Sequence, residues 1–188
     1  MSINTGQLAP TFETQTYDGA PISLEQYRGK KVWLGFYRYA GCPLCNLRIS
    51  EMVDRAAEFE RDGIQVICVF HSPADRIAGG VGKQSAPFPI IADPTMSLYQ
   101  TYGVSRSLAG MFYPRVMLRS VTAVFRGFFS LRMDGPIDMV PADFLVDPEG
   151  MVYQAYYGKA VSDHIPFADI ATFGKDLCLD MPAAPPAV

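Results

Sequence analysis

No uninterrupted apolar run in the sequence approaches the roughly 20 residues that a membrane-spanning helix needs. The opening stretch, Met1 to Gln7, lacks the basic and apolar regions of a secretory leader. These absences point to a soluble, cytoplasmic chain that engages no membrane. Charge of one sign is also missing in bulk: the net value of -3 gives no whole-protein reason to expect nucleic-acid binding. Cysteine is scarce, and four in a chain of 188 residues do not make a secreted disulfide scaffold. In a reducing compartment a close pair is more often catalytic or metal-binding. A hydrophobic share of 49% suffices for a full core, and the length suggests one domain spanning residues 1–188. Only the proline-rich end, about 181–188, reads as a flexible tail.

What is present gathers at Tyr37-Arg38-Tyr39-Ala40-Gly41-Cys42-Pro43-Leu44-Cys45. Val32 to Tyr37 is short, apolar and aromatic, as a buried strand should be. Pro43 suits the first turn of a helix that the pattern carries to about Arg61, with Leu47, Met52, Val53, Ala56 and Phe59 as its apolar face. Arg48 and its charged neighbours fall on the opposite face. Cys42 and Cys45 then stand at a helix N-terminus, where free N–H groups and the helix dipole favour a thiolate. Side chains three apart on a helix have Cβ atoms roughly 5–6 Å apart, slightly more than a relaxed disulfide prefers. The geometry favours a redox-active bond over a structural staple.

Further along, Thr11 to Thr16 and Ile22-Ser23-Leu24 flank Asp18-Gly19 as an N-terminal hairpin. Ile64 to Phe70 reads as a central parallel strand, followed by a helix from about Ala74 to Gly82. A strand at Phe88 to Ala92 precedes a helix at Pro94 to Tyr102. A hairpin of Phe144-Leu145-Val146 and Met151 to Tyr157 turns at Asp147-Pro148-Glu149-Gly150, and a last helix covers about Pro166 to Leu177. Strands alternating with helices indicate an α/β fold with a parallel or mixed sheet. Val104 to Met133 carries Arg106, Arg115, Arg119, Arg126 and Arg132 without an acidic residue among them. An exposed basic helix face is its simplest reading. A homodimer contact, a lid for an anionic substrate and a membrane-surface patch are the alternatives.

The ordered set of N-terminal hairpin, strand-Cys42-x-x-Cys45-helix, Ala92-Asp93-Pro94 before Tyr102-Gly103-Val104, and Phe144 to Gly150 resembles the peroxiredoxin-like branch of the thioredoxin fold, the alkyl hydroperoxide reductase/thiol-specific antioxidant group. The resemblance implies a central mixed β-sheet flanked by helices, with the hairpin at its N-terminal side. It spans roughly residues 8 to 175. Phe36-Tyr37 resembles the Phe-Tyr that precedes the family's active loop, which aligns Cys45 with the peroxidatic cysteine and Cys42 with its usual threonine. Arg38 replaces that motif's proline. Val140-Pro141-Ala142-Asp143-Phe144 resembles the cis-proline loop of thioredoxins, and a cis bond there would leave the preceding backbone free to pair with an extended substrate.

The resemblance implies an antioxidant thiol-dependent oxidoreductase cycling a Cys42/Cys45 dithiol and disulfide without cofactor or metal. As a peroxidase, Cys45 attacks the peroxide and Cys42 resolves. As a protein disulfide reductase, Cys42 attacks and Cys45 resolves. An external thiol system, such as thioredoxin or glutathione, restores the pair. Arg38 is positioned to lower a thiol pKa, and Arg48 is a second candidate. Asp143 is a candidate proton acceptor, and His71, at a strand's C-terminal end, a candidate accessory residue. A zinc site joining the dithiol to Cys68-x-x-His71 fails on geometry, because residues three apart in a strand face opposite ways. Cys68 reads as a buried hydrophobe, and Cys178 as a distant alternative resolving thiol. A non-catalytic interaction protein, using the basic segment as its surface, is the competing class.

Overall fold

The computed structural model describes residues 2–104, 121–128 and 138–176. Two short strands, β1 (Glu13–Gln15) and β2 (Pro21–Ser23), form the antiparallel N-terminal hairpin. The main sheet has five strands: β3 (Lys31–Phe36), β4 (Ile64–Phe70), β5 (Ile90–Ala92), β6 (Ala142–Val146) and β7 (Val152–Tyr157). Their spatial order is β5-β4-β3-β6-β7, parallel across β5, β4 and β3, and antiparallel from β3 through β6 to β7. This is the mixed sheet the sequence predicts, with β3 at its centre.

Alternation along the strands divides the core between the two faces. Trp33, Val66, Cys68, Phe70 and Leu145 point to one side, where α1 (Pro43–Val53), α2 (Ala56–Arg61) and α5 (Phe167–Asp176) supply Ile49, Met52, Phe59, Ile170 and Phe173. Val32, Leu34, Phe36, Ile67, Val69 and Phe144 point to the other. There α4 (Ser97–Thr101) supplies Leu98 and Tyr99, and the hairpin and its flanks add Phe12, Ile22 and Leu24. Helix α3 (Ala74–Gly79) and a 3-10 turn at Val81–Gln84 follow β4. Gly35 serves the first face. A Cβ there would stand 2.9 Å from the Tyr37 ring, which folds back over it.

Two expectations are corrected. The helix after the dithiol does not run unbroken to Arg61, because the backbone leaves helical geometry at Arg55 and restarts as α2. Arg48 does not lie on a solvated face: it is 5% exposed, its Nη2 donates to the Ile165 carbonyl at 2.7 Å, and its guanidinium lies 3.7 Å from the Phe167 ring centroid. Cation–π contact and a buried carbonyl replace the water it gives up. Of the basic segment, residues 121–125 are helical, and Arg126 is exposed and 3.6 Å from Asp54. Arg106, Arg115, Arg119 and Arg132 lie outside the described residues, as do Cys178 and the tail at 181–188. Among the described residues no helix is long and apolar enough to cross a membrane.

Candidate active site

Strand β3 delivers the chain to a loop at the C-terminal ends of β3 and β4, where open α/β sheets place their chemistry. The Tyr99 hydroxyl lies between the carbonyls of Tyr37 (2.6 Å) and Val69 (2.9 Å) and ties the two strand ends together below this loop. Cys42 is the N-cap of α1, Pro43 occupies its first position, and Cys45 lies in its first turn. The Cys42 sulfur takes the place of a capping oxygen, accepting from the Cys45 backbone N–H at 3.4 Å. Arg38 Nη1 donates to the same sulfur from 3.5 Å, and the Cys45 thiol donates to it as well.

These donors make the two sulfurs unequal. Burial pushes the Cys42 pKa up, but the Cys45 thiol, the Arg38 guanidinium and the backbone N–H groups at the helix start outweigh it and bring Cys42 down to about 7. At Cys45, burial and the neighbouring Cys42 push the pKa well above its ordinary value. Cys42 is 0% and Cys45 1% exposed. Cys68 is free and buried on the same face of the sheet, its thiol pushed up by burial.

Arg38 stands beside the Cys42 sulfur. Arg48 acts instead on Tyr37, Cys68 and Asp143, lowering the Cys68 thiol against the burial that raises it. His71 is buried just beyond β4, its ring 6.4 Å from that of Tyr39 and 6.0 Å from that of Tyr99. Asp143 is fully buried opposite Gly35. It accepts from Trp33 Nε1 (2.9 Å) and the Ile165 N–H (3.0 Å), and His164 Nδ1 lies 3.2 Å away. Burial acts to raise its pKa, but His164, Arg48 and the Ile165 N–H prevail and hold the carboxyl below its ordinary value. The bond before Pro141 is trans, which corrects the expected cis-proline loop. Pro141 directly precedes β6, and its carbonyl accepts the Gly158 N–H at 2.9 Å, prolonging the ladder with β7.

Several contributing residues carry no signal in the sequence. Ser72 Oγ accepts the Ala40 N–H at 2.8 Å, and Asn46 Nδ2 donates to the carbonyls of Ala40 (2.7 Å) and Cys42 (2.9 Å). Position is the one available clue for Asn46, which directly follows Cys45. A separate polar cavity of about 630 Å3 lies against Arg48, His164 and Phe167, but neither dithiol sulfur lines it. Among the described residues no group of three or more His, Cys, Asp or Glu is arranged to hold a metal ion.

A mixed five-stranded sheet whose central strand runs into a helix capped by one cysteine of a Cys-x-x-Cys pair defines a thioredoxin-fold dithiol protein. The AhpC/TSA family model matches residues 5–155, and the chain belongs to that family: it is a peroxiredoxin-like, thiol-dependent oxidoreductase. It is 30% identical over 165 residues to a putative peroxiredoxin bcp of Coxiella burnetii, covering 88% of this chain and 95% of the relative. A putative peroxiredoxin of Mycobacterium tuberculosis is 27% identical over 165 residues, covering 87% and 90% respectively. The crystal structure of peroxidoxin BcpB from Mycobacterium tuberculosis has the same fold, with a TM-score of 0.68 at 18% identity, covering 93% of this chain and 98% of that one.

Proposed function

We propose that the chain reduces hydroperoxides with Cys42 as the attacking thiolate and Cys45 as the resolving thiol. The observation that carries this reading is the convergence of the Cys45 N–H and Arg38 Nη1 on the Cys42 sulfur, whereas at Cys45 burial and the neighbouring Cys42 outweigh the Arg38 charge and backbone N–H. The order is the reverse of the one the motif alignment implies. The Cys42 thiolate attacks a peroxide oxygen and the O–O bond breaks. The departing hydroxide or alkoxide takes a proton from water, leaving a sulfenic acid on Cys42. The Cys45 sulfur then attacks that sulfur, forming the disulfide and releasing water. An external thiol system supplies two electrons and two protons to restore the pair.

Two exclusions of solvent support a small substrate over a protein disulfide: both sulfurs are buried, and so are Arg38 and Tyr39 beside them. Asp143 serves this reading as a fixed charge that orders Trp33, His164 and the Ile165 backbone, and His71 as a packing residue at the loop's edge. Stopped-flow reaction with hydrogen peroxide and an organic hydroperoxide tests the order of attack. Cys45→Ser is expected to react at near wild-type rate and to stop at a sulfenic acid on Cys42, while Cys42→Ser loses the fast phase. The opposite pattern would make Cys45 the nucleophile, and rapid reduction of a protein disulfide with sluggish peroxide reaction would replace the substrate class.

A further inference from the structure

We propose that Asn46, oriented by Gln84, is a positioning residue that fixes the backbone of the Ala40–Cys42 loop and so sets where the Cys42 sulfur stands. This rests on the assignment of Cys42 as the nucleophile. Asn46 is buried in the first turns of α1. Its Nδ2 has two hydrogens, and two carbonyls receive them: Ala40 at 2.7 Å and Cys42 at 2.9 Å. Its Oδ1 accepts from Gln84 Nε2 at 3.0 Å, and the same nitrogen reaches the Asn46 carbonyl at 3.2 Å.

The orientation of the Asn46 amide is therefore decided from outside the helix. A flipped amide would aim Oδ1 at two carbonyl oxygens and its NH2 at the Gln84 donor, losing all three bonds. Gln84 ends the 3-10 turn that follows α3, so this part of the chain reaches the dithiol loop by way of the Asn46 side chain. Two further contacts join the same pieces. Ser72 Oγ takes the Ala40 N–H at 2.8 Å, and a Cβ on Gly80 would stand 3.1 Å from the Ala40 carbonyl oxygen. The loop from Ala40 to Cys42 is thus gripped at both an N–H and two carbonyls before the chain enters α1. A sulfur 3.5 Å from Arg38 and 3.4 Å from the Cys45 N–H tolerates little drift, since hydrogen bonds of this length weaken steeply on misalignment.

The test compares wild type, Gln84→Ala, Asn46→Ala and the double variant. One readout is hydrogen exchange of the Ala40 and Cys42 amides. The other is the pH profile of Cys42 alkylation, followed residue by residue by mass spectrometry. Gln84 is partly exposed, so its truncation leaves the core intact. Gln84→Ala is expected to speed exchange of the loop amides and to lower Cys42 alkylation at pH 7 by about 2- to 10-fold, the effect of losing the orienting bond to Asn46 Oδ1 at the ordinary strength of a hydrogen bond. The double variant is expected to match Asn46→Ala alone in both readouts, because Gln84 reaches the loop only by orienting the Asn46 amide, its bond to the Asn46 main-chain carbonyl lying inside α1. Unchanged loop exchange in Gln84→Ala, or effects of the two substitutions that simply add, would overturn the proposal. A loop loosened as expected in a protein whose wild-type Cys42 titrates like a free thiol would instead refute the nucleophile assignment and leave the clasp standing. Should Asn46→Ala fail to fold, Gln84→Ala decides alone.

Discussion

Replacing Arg38 with Met removes the guanidinium from beside Cys42 while keeping an apolar stem in its buried slot. A full charge at 3.5 Å is worth about 1 kcal/mol at the dielectric of water and about 5 kcal/mol at an effective value near 20. Because the guanidinium charge is spread over three nitrogens, the lower half of that range applies, or roughly one to two pH units on the thiol. Cys42 starts at about 7 and is half ionised at that pH. The substitution cuts the thiolate fraction roughly 5- to 50-fold, while the more basic sulfur gains intrinsic nucleophilicity of roughly 3- to 8-fold. The reaction with hydrogen peroxide at pH 7 is therefore expected to slow by only about 2- to 6-fold. Well above the raised pKa the variant is expected to overtake wild type. Stopped-flow rates across pH, with site-resolved alkylation of Cys42 as the companion assay, measure both limbs. Two profiles that never cross would refute the electrostatic role, because a charge acting through ionisation alone must trade fraction ionised against basicity.

Other expectations concern stability. Gly35→Ala drives a methyl group into the Tyr37 ring and is expected to destabilise by about 1–3 kcal/mol in urea denaturation. Lys31 is buried on β3 and donates through Nζ to the carbonyls of Gly174 and, at 3.3 Å, Asp62, so it joins α5 to the end of α2. Lys31→Met is expected to lower stability by about 1–3 kcal/mol, chiefly from those buried acceptors left without a charged donor. The Asp143 carboxyl is held below its ordinary pKa in the folded state, so its ionisation stabilises the fold above the unfolded value of about 4. That stabilisation is lost as pH falls through the folded value. Asp143→Asn is thus expected to flatten the acid limb of the stability profile while lowering stability at pH 7, and an unchanged acid limb would remove the Asp143–His164 pair as its source.

Much of this architecture was legible from periodicity. Nearly continuous apolar runs such as Ile64 to Phe70 announce strands covered on both faces, and Pro43 marks where the helix must start. The dithiol was legible for the same local reason: a thiol before a helix-starting proline can be only in or beside the first turn. What was not legible depends on distant partners. Arg48 looked solvated because a helical stripe counts only its own neighbours, whereas its acceptor and its aromatic lid come from Ile165 and Phe167, brought over by the chain after β7. His164 carries no signal for its role, since nothing near it in sequence hints at Asp143. Pro141 resembled a family feature whose conformation is set by the surrounding ladder, and here its carbonyl is engaged by Gly158.

Trp33 is the single tryptophan of the chain, fully buried, with its indole N–H donating to Asp143. Its emission therefore has one source and one carboxylate partner, with the Arg48 guanidinium 5.4 Å from its ring. Protonation of Asp143 removes a negative charge from the end of that hydrogen bond while the ring stays wedged against Phe59 and Phe167. A fluorescence titration toward acid pH, followed beside a far-UV signal for the fold, reads that carboxylate through the indole. The protein carries its own optical gauge for a charge that no indicator dissolved in the surrounding water could reach.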